Sequence, residues 1–124
     1  MIPVDETTLA WWDATRQRRL TVQRCAACGH HQHHPRPVCL ACGGPSPNLV
    51  DVTGAGVVET FTIVRRAPSA AFVPPYAVAV VALDEGPRLL SNVEPWQDAA
   101  IGARVRVQWR PLHDGRNLPV FVVV

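Results

Sequence analysis

The sequence contains no lysine, so its positive charge comes entirely from arginine. The 12 arginines are nearly balanced by 10 acidic residues, which leaves a formal net charge of +2. So small a net charge excludes the polycationic surface that attracts a nucleic-acid backbone, and nucleic acid is not expected as a partner. Each basic group is a planar guanidinium fork, which suits the individual arginines to carboxylate or phosphate groups.

The sequence also lacks any apolar run near the ~20 residues that a membrane-spanning helix requires, although 48% of its residues are hydrophobic. The first six residues, Met1-Ile2-Pro3-Val4-Asp5-Glu6, have neither the basic nor the apolar region of a secretory signal peptide. We therefore expect a cytoplasmic protein without a membrane partner, in which thiols stay reduced and available to a metal ion.

Cysteine is absent outside two short motifs. Cys25-Ala26-Ala27-Cys28-Gly29 and Cys39-Leu40-Ala41-Cys42-Gly43 contain all four cysteines, and ten residues separate Cys28 from Cys39. Two loops with a thiolate at each end can place four sulfurs at the corners of a tetrahedron, about 2.3 Å from one Zn²⁺. The glycine after each second cysteine can adopt a positive φ that turns backbone N–H groups toward sulfur. The spacing therefore predicts a zinc ribbon whose structural Zn²⁺ is bound by Cys25, Cys28, Cys39 and Cys42.

The alternatives to a zinc site are an iron site, a redox pair, disulfides and an empty oxidised site. Four thiolates also hold iron in rubredoxin-type sites, so the spacing predicts a metal site and favours zinc over iron. A redox pair normally opens a helix in a βαβ unit, whereas glycine, histidine and proline follow these motifs. Disulfides, or an empty oxidised site, require an oxidising compartment. A four-cysteine site leaves no position for water, so the metal is expected to stabilise the fold without performing chemistry.

Histidines crowd the loop between the two motifs. Any of the four could in principle replace a cysteine as a metal ligand. With four cysteines at suitable spacing, we expect the imidazoles to be solvated or hydrogen-bonded on the ribbon surface; they are His30, His31, His33 and His34.

Residues 1–19 predict a short N-terminal helix. Leu9 and Trp12 recur at helical spacing, and arginines follow where a helix C-terminus favours cations. The apolar face includes the doublet Trp11-Trp12, whose side chains point in different directions. One ring is expected to pack on the core and the other to contact a partner, since tryptophan is enriched at interface hot spots. Alternatively, both rings cap the small domain.

Alternating and β-branched segments predict a β-rich remainder. A strand over 20–23 leads into the first cysteine motif, and Gly54 with Gly56 allows a sharp turn or a bulge before the barrel. Residues 94–103 interrupt the later strands, which is the layout of a five-stranded OB-fold barrel, although an SH3-like barrel or a small sandwich stays open. The predicted fold is mainly β, with an N-terminal helix (1–19), a zinc ribbon (20–47) and an OB-fold domain (48–124). The five predicted barrel strands are 57–64, 76–83 (a central strand, because it is apolar on both faces), 88–93, 104–110 and 118–124.

The order of these parts resembles a known family. Four short motifs follow the helix and the ribbon: Gly54-Ala55-Gly56-Val57-Val58, Pro74-Pro75-Tyr76-Ala77-Val78-Ala79-Val80-Val81, Asp84-Glu85-Gly86 and Ile101-Gly102-Ala103-Arg104-Val105. The chain resembles, over nearly its whole length, the acyl-CoA-associated family that joins a rubredoxin-like zinc ribbon to an OB-fold and was long catalogued as a domain of unknown function.

Members of that family are typically not enzymes by themselves. The resemblance implies a non-catalytic accessory subunit that pairs with a thiolase-like or lipid-transfer-protein-like aldolase acting on acyl-CoA thioesters. The implied reaction is a retro-aldol cleavage, a lyase step of lipid metabolism such as steroid side-chain degradation. The implied assembly is an α₂β₂ heterotetramer, with an enoyl-CoA hydratase as a further type of partner. The chain is then either a full small subunit or a domain of a longer hydratase fusion.

The residues themselves agree with a non-catalytic role. The sequence shows no Ser/His/Asp order, no cysteine nucleophile once a metal takes all four thiols, and no carboxylate pair in a shared motif. Arg65 and Arg66 end the first barrel strand, and we predict that they contact the phosphates of CoA because arginine forks pair bidentately with phosphate oxygens. A basic stripe is predicted at Arg104, Arg106 and Arg110. For both sets the alternative is a solvated strand face or an ion pair with a partner.

Two other classes of function remain open at this stage. A zinc ribbon followed by an OB barrel is also a way to bind single-stranded nucleic acid through a basic groove and aromatic platforms. Here several aromatic residues lie in strongly apolar segments and are expected in the core instead. A purely structural scaffold that never touches the substrate is the other alternative. The barrel half contains six aromatic residues in all, and those in apolar segments are among them: Phe61, Phe72, Tyr76, Trp96, Trp109 and Phe121.

Overall fold

A closed barrel of five strands forms the C-terminal part of the chain in the computed structural model, which describes residues 2–45 and 47–124. Met1 and Ser46, which fall in the predicted segments 1–19 and 20–47, lie outside the described residues. The barrel has the strand order β4-β5-β6-β8-β7, and its neighbours are antiparallel except for a parallel contact between β6 and β8 at Val93 and Phe121. The predicted five-stranded OB-fold is confirmed. The barrel strands are β4 (Ala55–Val64), β5 (Tyr76–Leu83), β6 (Arg88–Val93), β7 (Arg104–Pro111) and β8 (Asn117–Val123), with a 3-10 helix at Trp96–Asp98.

Strand β5, predicted to be central, is paired along both edges, as is every strand of the closed barrel. It pairs with β4 on one side and with β6 on the other. Ala77, Ala79 and Val81 point inward and are at most 1% exposed, next to the fully buried Phe121. The intervening side chains, such as Val78 and Val80, are half-buried on the outer face. Both faces of this strand are apolar, but only the inward face is fully buried in the core, and the outward face is partly exposed to solvent.

Two glycines allow the close approach of β4 to its neighbours. Gly54 has a φ of +82° and its α-carbon faces the side chain of Val107. A Cβ atom on Gly56 would lie 2.6 Å from the carbonyl oxygen of Ala82, so no other residue fits there. The register of β4 on β5 shifts between Val58 and Thr60. The irregularity expected near the glycines thus lies two residues further on.

A second, three-stranded sheet forms the ribbon. It comprises β1 (Thr21–Arg24) between β2 (His31–Gln32) and β3 (Asn48–Asp51), both antiparallel to β1. β3 thus pairs within the ribbon, although it begins the segment 48–124 assigned to the OB-fold domain from the sequence. Leu20 and Val22 belong to the same buried cluster as the barrel residues, so ribbon and barrel share one core.

The N-terminal helix α1 covers Leu9–Thr15, and two hydrogen bonds between Asp5 and Thr8 stabilise the turn that precedes it. The backbone N–H of Thr8 donates to Oδ1 of Asp5 at 2.9 Å, and the N–H of Asp5 donates to Oγ1 of Thr8 at 3.2 Å. This reciprocal pair satisfies donors that a helix start leaves free, and the N–H of Thr8 lowers the pKa of the Asp5 carboxyl group. Among the described residues, no helix is both long and apolar enough to cross a membrane.

Candidate functional site

The four cysteines converge on one point. Their Sγ atoms all lie within 4.8 Å of one another. The Sγ atoms of Cys25 and Cys42 are 3.6 Å apart, as are those of Cys28 and Cys39. Four thiolates about 2.3 Å from a tetrahedral ion are separated by about 3.8 Å, so the cluster has the dimensions of a four-sulfur metal site.

The two cysteine motifs fold into matching loops. The N–H of Cys25 donates to the carbonyl of His30 at 2.9 Å, and the N–H of Cys39 donates to the carbonyl of Gly44 at 2.8 Å. The glycines that follow the second cysteines, Gly29 and Gly43, have φ values of 75° and 76°. The predicted positive φ is therefore confirmed at both glycines. Each motif presents its two thiols from the same kind of turn.

Backbone N–H groups stabilise the thiolate form of the first cysteine in each loop. The N–H groups of Cys28 and Ala27 lower the pKa of Cys25 to about 6. The N–H of Cys42 lowers the pKa of Cys39 in the same way. These groups favour the anionic form that binds a metal ion.

The second cysteine of each loop shows how closely the sulfurs are packed. The N–H of His30 lowers the pKa of Cys28, but desolvation and the neighbouring thiols outweigh it and raise this pKa to about 12. The N–H of Gly44 lowers the pKa of Cys42, but the thiols of Cys25 and Cys39, together with desolvation, outweigh it, so that this pKa is raised as well. Four sulfurs at these distances repel one another as anions, and a divalent cation at their centre removes that repulsion. The donor set thus fits a bound metal ion.

The histidines of the ribbon lie outside this cluster. His30 and His34 are exposed, as predicted. For His33 the prediction of a surface position is wrong, because its ring is half-buried with its centroid 5.6 Å from that of Trp11. Burial, and then the charge of His34, lower the pKa of His33 to about 4. His33 therefore serves as a neutral packing group between ribbon and helix.

Two buried glutamines, which no sequence pattern indicated, hold the loop between the cysteine motifs. Nε2 of Gln32 donates to Oε1 of Gln23 at 2.8 Å and to the carbonyl of Val38 at 3.0 Å. Oε1 of Gln32 accepts from the N–H of Leu40 at 2.9 Å, and Gln23 bonds both the N–H and the carbonyl of Arg36. The pair fixes the backbone on either side of Cys39 and thereby positions the metal ligands.

A cavity of about 970 Å³ lies at one end of the barrel. It is bounded by the β4–β5 loop, the end of β6 and the β7–β8 loop. The corresponding loops and strands of OB-folds are those that bind ligands in other members of this architecture. The side chains that the cavity exposes include Phe72, Tyr76, Trp96, Leu112, His113 and Leu118.

Arg65 and Arg66 lie at this end of the barrel. They follow Val64 at the end of β4, and both are exposed. Cζ of Arg65 lies 5.4 Å from the centroid of Trp96, a cation–π contact with a residue that lines the cavity. The structure thus brings Arg65 to the cavity rim, while its predicted contact with CoA stays a prediction.

The predicted basic stripe is largely neutralised within the chain. Arg104 makes a bidentate pair with Asp84, at 2.8 and 3.0 Å. Arg110 forms an ion pair with Glu94. The alternation of residues along β7 places three arginines on one face of the strand. Carboxylates from other loops pair with two of them, and the periodicity of a single strand cannot predict such contacts.

The two tryptophans of α1 both pack on this chain. Trp11 is 6% exposed, and its indole N–H donates to the carbonyl of Thr21 at 2.9 Å. Trp12 is half-buried below the guanidinium of Arg116, whose Cζ is 4.9 Å from the ring centroid. That Trp11 or Trp12 also meets a partner stays a prediction.

Arg116 is a buried arginine that the sequence did not single out. It is 4% exposed; Nε donates to Oδ2 of Asp114 at 2.8 Å and Nη2 to the carbonyl of Ile2 at 2.8 Å. The Arg116 side chain lowers the pKa of Asp114 to about 2. Next to it, the Nδ2 group of Asn117 donates to the carbonyl of Thr15 at 2.8 Å. These bonds join the N-terminal segment, the end of α1 and the β7–β8 loop.

Comparison with known proteins places this architecture in a family. A family model described as the rubredoxin-like zinc ribbon domain of ChsH2 matches residues 12–48. A second, described as the C-terminal OB-fold domain of ChsH2, matches residues 49–110. A chain of the solved Ltp2-ChsH2(DUF35) aldolase is 36% identical with a TM-score of 0.89, and the match covers 99% of this chain and 98% of that chain.

Two curated relatives show the range of proteins that contain this unit. A DUF35 domain-containing scaffold protein of Pyrococcus furiosus is 34% identical over 84% of this chain and 79% of the relative. A probable enoyl-CoA hydratase alpha subunit of Thermomonospora curvata is 40% identical over 90% of this chain. That match covers 35% of the hydratase subunit, so the chain spans about a third of that relative's length. The chain belongs to the ChsH2 (DUF35) family of proteins that join a rubredoxin-like zinc ribbon to an OB-fold.

Proposed function

We propose that this chain is a non-catalytic accessory subunit or domain that supports a thiolase-like aldolase acting on acyl-CoA thioesters. The observation that carries the proposal is the match to a chain of the Ltp2-ChsH2(DUF35) aldolase over almost the full length of both chains. The scaffold protein of Pyrococcus furiosus supports an accessory role, and the hydratase subunit of Thermomonospora curvata supports a CoA thioester as the substrate class. An α₂β₂ assembly and a hydratase partner belong to the same proposal.

The metal of the ribbon is proposed to be Zn²⁺ with a structural role. Four sulfurs at tetrahedral spacing support a bound metal ion, and the family's zinc-ribbon description supports zinc over iron. A Cys₄ shell has no open position, so a bound ion stabilises the ribbon and the chemistry falls to the aldolase. In a retro-aldol cleavage of a β-hydroxyacyl thioester, the hydroxyl proton is removed, a carbonyl forms, and the carbon–carbon bond breaks to give the thioester enolate, which then takes up a proton.

The role of the chain can be tested by reconstitution. The chain, a thiolase-like aldolase from the same organism, and a co-expressed mixture of the two are each assayed for cleavage of β-hydroxyacyl-CoA thioesters, with steroid side-chain thioesters included because the resemblance implies them. We expect cleavage by the mixture, none by this chain alone, and co-elution of the two proteins near one-to-one. Cleavage by this chain alone, or equal activity of the aldolase without it, contradicts the proposal. A salt-sensitive shift of single-stranded oligonucleotides would favour the nucleic-acid alternative.

The rim arginines are proposed to contact the phosphates of CoA. Replacing Arg65 and Arg66 together with alanine is expected to weaken CoA binding to the complex about tenfold, because charge-assisted hydrogen bonds to phosphate contribute about 1.5–3 kcal/mol and solvent screens the exposed side chains. Isothermal titration of the complex with CoA measures the effect. The Arg18→Ala, Arg19→Ala variant serves as the control, because it removes the same charge from two consecutive arginines that follow α1. An unchanged CoA affinity after the first double substitution rejects this role.

A further inference from the structure

The charges inside the barrel cavity cancel in pairs. Arg110 pairs with Glu94, and Arg116 pairs with Asp114, and all four residues line the cavity. Within residues 2–45 and 47–124, these two ion pairs account for every arginine and acidic residue of the lining. A phosphate placed inside would therefore have to compete with a carboxylate for each guanidinium. The interior is suited to an uncharged group.

The walls of the cavity are apolar and partly flat. The rings of Phe72 and Tyr76 stack with centroids 5.6 Å apart, and Trp96 lies on the same rim. Phe72 and Val73 are 48% and 84% exposed, and both lie in the cavity lining, so they form a continuous apolar surface with the neighbouring rings. A volume of about 970 Å³ lies at the upper end of the range of about 300–1,000 Å³ for small-molecule pockets. The walls and the volume together favour a bulky apolar ligand.

A cation outside all the ion pairs of the described residues lies at the mouth of this cavity, whereas the two arginines of the lining are paired with carboxylates. Arg65 rests on Trp96 with its guanidinium 5.4 Å from the ring centroid, and the exposed Arg66 follows it. An apolar interior with cations at the rim matches a molecule that has an apolar body and a polyanionic end. We propose that the cavity binds the bulky apolar acyl group of a CoA thioester, with the phosphates outside. This assignment of the acyl site rests on the proposed function, which supplies the thioester.

The isolated zinc-loaded chain provides the test. Binding of progesterone, a neutral polycyclic probe, is measured by tryptophan fluorescence and calorimetry for the wild type and two variants. Ala71→Trp fills the cavity, because Ala71 is exposed and lines it, and Ala70→Trp is the matched control on the neighbouring exposed residue outside the lining. We expect Ala71→Trp to weaken progesterone binding about tenfold or more, through lost apolar burial, and Ala70→Trp to leave it within about twofold.

Further ligands distinguish the source of the apolar group. A steroid carboxyl-CoA is expected to bind at least about tenfold more tightly than progesterone or CoA alone, because it occupies cavity and rim together. Equal affinity of the conjugate and of progesterone overturns the acyl assignment in favour of a free apolar molecule. Absence of progesterone binding, equal binding by both variants, or displacement of progesterone by the aldolase without substrate also overturns it. None of these measurements uses the aldolase reaction, so a failed reconstitution would reject the proposed function separately.

Discussion

Replacing Cys39 with serine will release the metal ion and unfold the ribbon. Cys39 is 1% exposed, and its Sγ atom is one of four that converge on the site. A serine hydroxyl stays protonated at neutral pH and cannot replace the thiolate. Structural Zn²⁺ sites contribute on the order of 10 kcal/mol or more to folding, so loss of one ligand removes most of the stability of the ribbon. The metal content, by elemental mass spectrometry, is expected to fall from one ion per chain to near zero.

Amide hydrogen exchange will show where the structure is lost. We expect protection to disappear in β1 and β2 and to persist in β5, whose two neighbours are barrel strands. The melting temperature of the barrel should still fall, because Leu20 and Val22 leave the shared core. His30→Ala is the control, since His30 is exposed and lies in the same loop. A Cys39→Ser protein that retains one tightly bound ion, or a His30→Ala protein that loses it, would show that the ligand set differs from the four cysteines.

The fold was predictable where the information is local. The spacing of the cysteines determines a four-sulfur site because two short loops can reach one ion in few ways, and Gly29 and Gly43 supply the backbone conformation that these loops need. The strands of the barrel follow from period-2 alternation, and β5 was recognisable as a strand paired along both edges because it is apolar on both faces. These features depend on neighbours within a few residues, which a single sequence displays.

The candidate site was predictable only in part, because its remaining members meet across long sequence separations. Arg104 and Arg110 alternate with valine and tryptophan on β7, which suggests a free basic face, but Asp84 and Glu94 arrive from other loops to pair with them. In the sequence, Gln32 resembles any other polar residue, and only the structure shows that it is buried and hydrogen-bonded to backbone groups. The cavity likewise exists only because the β4–β5 and β7–β8 loops fold to the same end of the barrel.

Substituting Arg116 with methionine will destabilise the protein although it conserves most of the side-chain volume. The side chain of Arg116 is 5% exposed, and its guanidinium bonds Asp114 and the carbonyl of Ile2 and covers the ring of Trp12. Removing one member of a buried ion pair costs about 3–5 kcal/mol. The side chain of Asp114 is 28% exposed, so its carboxylate can regain water, and we expect a loss near the lower end, about 3 kcal/mol, in the free energy of unfolding by urea.

Arg110 provides the matched comparison for this substitution. It lines the same cavity and is also ion-paired, but its side chain is 47% exposed. Because exposed pairs contribute about 0–1 kcal/mol, Arg110→Met should change the unfolding free energy by less than about 1 kcal/mol. Equal losses for the two variants would mean that the burial of Arg116 adds nothing to stability. The expected difference would instead show that Arg116 joins the N-terminal segment to the β7–β8 loop, and that the wall of the cavity depends on a residue without any sequence signature.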